Sequence, residues 1–298
     1  MPSKRSRLIY WLYKHFGSQF DTSIPIGKQR AMVERQSRYA LMPSKIDIQP
    51  IAISEIYAEW VRPSAVRNDC SILYLHGGGY TMGSCTTHRA LVARMAIASQ
   101  TPALLIEYRL APENPFPAAL EDTLKAYHYL LDQGVTPGRI IFAGDSAGGS
   151  LAVAAAVYLR EEKEQLPGGI VCISAWADLT LSGETMSTCA KTDPMLSRET
   201  SSLHASWYVG QHDPKEPLIS PVFADLSELS PMLIQVGEHE ILLSDSLRLA
   251  EKARQAGVDV TLEVWEGMWH VWHVLAGFIP ESQRAIDRIG AFIRKRLG

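Results

Sequence analysis

Long apolar runs are missing from this 298-residue chain. No stretch approaches the roughly 18 consecutive apolar residues that a membrane-spanning helix needs. Cysteine is scarce, and Cys70, Cys85, Cys172 and Cys189 show no C-x-x-C spacing. That argues against a zinc knuckle or a redox pair and leaves reduced, buried thiols as the expectation. Charge of either sign is also nearly balanced, 29 Lys plus Arg against 32 Asp plus Glu, for a net charge of −3. So small a total implies neither nucleic acid nor an anionic membrane as partner. Glu113 and Asp122 are carboxylates without spaced ligand partners, so no metal and no cofactor are expected. Lys4, Arg5 and Arg7 precede Leu8-Ile9-Tyr10-Trp11-Leu12-Tyr13 in the manner of a secretion signal. Lys14 and His15 break the run and no small-x-small cleavage site follows, so a cytoplasmic protein is expected.

What is present is a periodic pattern. Leu8, Trp11, Leu12 and Phe16 share one face of a helix over residues 5–16, an apolar stripe that calls for a partner surface. Burial against the rest of the protein is expected, and the basic residues before it offer a membrane-surface helix as the rival reading. A second helical stretch covers about 27–39. The period then changes to two, with Ile46 and Ile48 alternating against Asp47 and Gln49, and Ile56, Ala58 and Trp60 against Tyr57 and Glu59. Further on, apolar strands at about 71–75, 103–108, 140–143, 170–174, 231–236 and 259–265 alternate with helices at about 88–100, 117–132, 148–163, 243–256 and 281–297. Such alternation predicts an α/β fold with a mostly parallel sheet covered on both faces. The strand at 259–265 would lie at a sheet edge and could pair in a homodimer. One interval breaks the rhythm: more than 50 residues separate the strands at 170–174 and 231–236, far beyond a simple crossover.

Two motifs carry chemistry. Gly144-Asp145-Ser146-Ala147-Gly148-Gly149 follows the strand Ile140–Ala143, the G-x-S-x-G turn that presents a nucleophilic serine. His76-Gly77-Gly78-Gly79 follows the strand Ser71–Leu75, and such a loop supplies backbone N–H donors to an oxyanion. A serine needs a base and an orienting carboxylate, in the chain order Ser, acid, His for this kind of turn. His270 and His273 compete for the base. Glu238, Glu240 and Asp245 compete for the acid.

These stretches, with Tyr108-Arg109-Leu110-Ala111-Pro112-Glu113, Phe116-Pro117-Ala118-Ala119, Asp122 and Glu266-Gly267-Met268-Trp269-His270, resemble the hormone-sensitive-lipase-like (bacterial family IV) carboxylesterases of the α/β-hydrolase fold. The resemblance implies that His270, after Gly-Met-x, is the catalytic base. It aligns Glu240 with the usual aspartate of Gly-x-x-Asp-x-Leu, a departure that lengthens the arm by one methylene. It also implies oxyanion donors at Gly78, Gly79 and Ala147, and residues 1–42 plus about 178–228 as a helical cap over a catalytic domain spanning 43–298. The expected activity is hydrolysis of short- to medium-chain acyl esters through Ser146, Glu240 and His270, without a cofactor. Tyr80, Met195, Trp207 and Tyr208 are candidates to line the substrate pocket. An amidase or peptidase with the same triad is the alternative enzyme, and a non-catalytic ligand-binding protein on this fold the alternative class. The presence of both Ser146 and His270 speaks against the latter.

Overall fold

The computed structural model describes residues 1–16, 23–64, 66–67 and 69–298. Two helices, α1 (Lys4–Phe16) and α2 (Ile26–Ser37), precede the hairpin β1 (Ile46–Ile53) and β2 (Ile56–Pro63). Strands and helices then alternate: β3 (Ser71–Leu75), α3 (Cys85–Ser99), β4 (Ala103–Ile106), α4 (Ala118–Asp132), β5 (Ile140–Asp145), α5 (Ala147–Glu161) and β6 (Gly169–Ile173). The long interval holds α6 (Thr185–Thr188) and α7 (Arg198–Val209). The chain closes with β7 (Met232–Gly237), α8 (Leu243–Gln255), β8 (Val260–Trp265) and α9 (Pro280–Leu297).

The eight strands form one sheet in the order β1-β2-β4-β3-β5-β6-β7-β8, with β2 antiparallel to both neighbours and every other pair parallel. Strands β3, β5 and β6 are buried at every position, which is why they read as unbroken apolar runs. Successive side chains point to opposite faces. Leu73, Leu75 and Phe142 pack with Leu124 of α4, Leu151 of α5 and Leu249 of α8. Ile72, Tyr74 and Ile141 pack with Val92 and Met95 of α3 and Ile289 and Ile293 of α9. Pro50 sits in β1, at the sheet edge, where its missing N–H costs no central ladder bond. Strand β8 forms the opposite edge.

The first helix corrects one expectation. Leu8, Trp11, Leu12 and Phe16 are not covered; they are 58%, 48%, 42% and 74% exposed. The buried face is the opposite one, with Ser6 buried and Ile9, Tyr10 and Tyr13 packed on a cluster containing Met268, Trp269 and Trp272. Polar anchors explain the choice. The Tyr10 hydroxyl donates to the Thr192 carbonyl at 2.7 Å, and Ser3 donates to Glu281 from both its amide (2.6 Å) and its hydroxyl (3.0 Å). Two tyrosine rings also meet Trp269 at 5.9 and 6.0 Å. An inward Leu/Trp/Phe face would have left these partners unmet.

Candidate active site

Ser146 stands where β5 turns into α5. Its backbone is at φ 54°, ψ −121°, a region costly for a residue with a Cβ and one often retained at functional turns. The turn closes because Gly148 lies against the next strand: a Cβ there would come within 1.9 Å of the Leu75 carbonyl oxygen. The Ser146 amide donates to Ile173 O at 2.8 Å, tying the turn to β6. Ala147 opens α5, so its N–H belongs to the first turn, where donors have no helical partner and the dipole favours negative charge.

The glycine loop after β3 is braced from beneath. Asp145 accepts from the Tyr74 hydroxyl at 2.7 Å and from the Gly77 amide at 3.1 Å. Burial pushes the Asp145 carboxyl up, but His88 at 3.3 Å and the Tyr74 hydrogen bond outweigh it, and the net value falls to about 2. His76 is fully buried and stacks on Tyr108 at 4.2 Å, while the Tyr108 hydroxyl donates to His76 O. Burial drives the His76 imidazole down to about 3, so it is neutral and serves the loop rather than proton transfer. Gly78 has φ +115°, and any Cβ there would meet the Met82 carbonyl at 2.3 Å. On the outer side, Arg30 of α2 donates to Thr81 O (2.7 Å) and Ala111 O (2.8 Å). Asp122 holds the Tyr108–Glu113 segment by accepting from the Arg109 amide and guanidinium.

His270 and Glu240 come together from the loops after β8 and β7. His270 Nδ1 donates to Glu240 Oε2 at 2.9 Å. The other oxygen, Oε1, accepts from the Ser174 hydroxyl (2.7 Å) and the Gly237 amide (2.6 Å). Burial disfavours the His270 imidazolium, but the hydrogen bond and charge of Glu240, aided by Asp193 and Asp145, more than offset it and raise its pKa. The rival carboxylates are engaged elsewhere. Asp245 accepts from the Asp178 amide at 2.9 Å in a separate buried pocket, and desolvation together with Asp178 pushes its pKa well up. Glu238 accepts from Gly267 N. His273 points away into the core, with Nε2 donating to Gln235 Oε1 at 2.8 Å and burial lowering its pKa to about 3.

Of the aromatic candidates, Tyr80 and Tyr208 are both buried and stack face to face at 3.6 Å, joining the glycine loop to α7. Trp207 is half-buried and meets His204 edge-on at 5.5 Å. His204 itself bonds Thr81 Oγ1 at 2.6 Å and lies against Gly79, where a Cβ would come within 3.3 Å of it. Met195 packs against the cluster that contains Trp269, the residue before His270.

Two residues escaped the motif reading. Ser174 bridges Glu240 and the chain just after His270, accepting from Val271 N at 3.2 Å. Asp193 accepts from Met195, Leu196 and Ile241 amides, each at 2.9 Å, binding the long interval to the loop that carries Glu240. Ser174 has no sequence signal, whereas Asp193-Pro194 carries the mark of a side chain that caps the amides after it. All four cysteines are free thiols, and no cluster of metal-ligating side chains occurs among the described residues.

With this geometry in place, comparison with known proteins defines the class. A family model for the alpha/beta hydrolase fold matches residues 72–274. The chain is 44% identical over 248 residues to an acetyl-hydrolase of Streptomyces hygroscopicus, covering 83% of each. It is 36% identical to an esterase of Acinetobacter venetianus, covering 88% of this chain and 87% of that one. Among solved structures, an esterase of the bacterial hormone-sensitive lipase family superposes with a TM-score of 0.95 at 41% identity, covering all of both chains. A hormone-sensitive lipase from a metagenome library gives 0.96 at 37% identity, again over the full length of both. The chain therefore belongs to the α/β-hydrolase family, among the hormone-sensitive-lipase-like esterases. It is a carboxylesterase, a hydrolase of the serine type. Among the described residues no helix is long and apolar enough to cross a membrane.

Proposed function

We propose that Ser146, His270 and Glu240 act as nucleophile, base and orienting acid on small-molecule esters with short- to medium-chain acyl groups. The observation that carries this reading is the Glu240 carboxylate, which meets His270 with one oxygen while two donors hold the other. His270 thereby keeps its proton on Nδ1 and offers a bare Nε2 to the serine. In the reaction, Ser146 Oγ attacks the acyl carbon as His270 Nε2 takes its proton. The amides of Gly78, Gly79 and Ala147 hold the oxyanion, each such donor contributing about 3 kcal/mol in the transition state. The C–O bond breaks, the alcohol leaves with the proton from His270, and an acyl-enzyme remains. Water attacks next, giving its proton to His270, and the acid departs as Ser146 regains its proton. Bonds and protons balance without a cofactor.

The helices α1 and α2 with residues of about 178–228 act as the cap. Tyr80, Tyr208, Trp207 and Met195 are assigned to the pocket wall. A short acyl preference is supported by the packing of His204 against Gly79 and by the acetyl-hydrolase among the relatives. The outer edge of β8 is assigned as the surface for a homodimer. A panel of nitrophenyl esters of rising acyl length, with an anilide control, tests the activity. Turnover should peak at short acyl chains and be at background on the anilide; equal rates on the anilide would favour an amidase instead.

A further inference from the structure

Helix α1 turns two unlike faces in opposite directions. Its inner face sets Tyr10 and Tyr13 on Trp269, the residue preceding His270. Its outer face leaves Leu8, Trp11, Leu12 and Phe16 in water. An apolar set of this size on one helix face marks an interaction surface. Lys4, Arg5, Arg7 and Lys14 are exposed beside it, and the helix contains no acidic residue. Four cations are thus concentrated on one helix of a chain whose net charge is −3, which the overall total conceals.

The geometry points to an anionic lipid bilayer as the occupant of this outer face. Basic residues interleaved with Trp, Phe and Leu suit a helix lying in the headgroup region, its apolar side chains in the acyl boundary and its cations on the phosphates. A second copy of the chain is the poorer match, because a symmetric contact between two α1 helices opposes cation to cation. The inference concerns the back of the helix and does not rest on the triad assignment. It places the bilayer one helix thickness, roughly 10 Å, from the Trp269 ring.

The test is co-sedimentation of the full-length protein with vesicles of phosphatidylcholine mixed with phosphatidylglycerol, and with phosphatidylcholine alone. The protein should pellet with the mixed vesicles only. Binding should vanish in 1 M salt, where the Debye length falls from roughly 10 Å to about 3 Å. Arg5→Gln and Arg7→Gln should each weaken binding roughly fivefold, and Trp11→Ser with Phe16→Ser roughly tenfold or more. All four substitutions lie on the solvent face, so melting temperature and turnover of a soluble ester should stay at wild-type values. Absence of vesicle binding, or binding indifferent to these substitutions, would overturn the inference. So would a concentration-dependent dimer, seen by sedimentation velocity, that the Trp11/Phe16 pair abolishes.

Discussion

The hydroxyl of Ser174 lies 2.7 Å from Glu240 Oε1, on the side of the carboxylate away from His270. The same hydroxyl accepts from the amide of Val271, immediately after His270. One small side chain thus fixes both the acid and the start of the loop that follows the imidazole. Ser174→Ala should leave Glu240 with only the Gly237 amide on that oxygen. We expect kcat to fall roughly tenfold, the effect of about 1.4 kcal/mol in the barrier, with KM little changed. Unchanged kcat in steady-state assays would show that Gly237 alone suffices.

Replacing Ser146 by Ala should abolish turnover, by a factor on the order of 10⁶, in a protein with a wild-type melting curve. His270→Ala should be as severe, and combining the two should add little, because such groups act as a unit. His273→Ala should separate stability from chemistry. It removes a fully buried ring and its bond to Gln235, so we expect a lower melting temperature and nearly intact kcat at a temperature where the variant is folded. Paired thermal melts and kinetics distinguish these outcomes.

Glu240→Gln should keep the fold but lower kcat by roughly 10² to 10⁴, since an amide can leave the imidazole in the wrong tautomer. Asp245→Asn should do far less. Burial already pushes the Asp245 carboxyl toward its neutral form, and an amide is close to that form in shape and charge. Measured kcat for the two variants should differ by at least an order of magnitude; the reverse ranking would move the acid to Asp245.

The pH profile offers a separate check. In the proposed mechanism His270 must be neutral to accept the serine proton, and the negative groups around it raise its pKa above the ordinary histidine value. The acid limb of kcat/KM should therefore lie above that value. Asp193 is one of the groups that raise it, so Asp193→Asn should make the imidazolium easier to deprotonate and move the acid limb to lower pH. A purely structural role for Asp193 would lower kcat/KM at every pH without moving the limb.

Much of this was legible in the chain. Strands β3, β5 and β6 stand out because burial on both faces demands unbroken apolar runs, and the Ser146 turn because only glycine fits two residues to either side of it. Order and spacing left His273, Glu238 and Asp245 in competition, and it was the family resemblance that singled out His270 and Glu240, which the fold brings within 2.9 Å of each other. Three things were not legible. Ser174 acts through contacts between segments far apart in sequence, and no local pattern encodes such a meeting. Asp193-Pro194 marks the local cap but not the reach of Asp193 to the Ile241 amide. Helix α1 misled because both of its faces carry apolar residues. Hydrophobicity alone favours Leu8, Trp11, Leu12 and Phe16, but the buried side is chosen by tyrosines whose hydroxyl and ring edges need specific partners.

The stacked pair Tyr80 and Tyr208 has a kinetic consequence. Tyr80 follows Gly79 directly in the chain, so the ring clamped against α7 is on a tether one residue from the proposed oxyanion donors. In the proposed mechanism, a substrate bulky enough to wedge α7 outward would pull on that tether and displace the donors from the reacting oxygen. Oversized esters should then be discriminated against after binding, by slow acylation, and should act as competitive inhibitors of short-chain esters in steady-state assays.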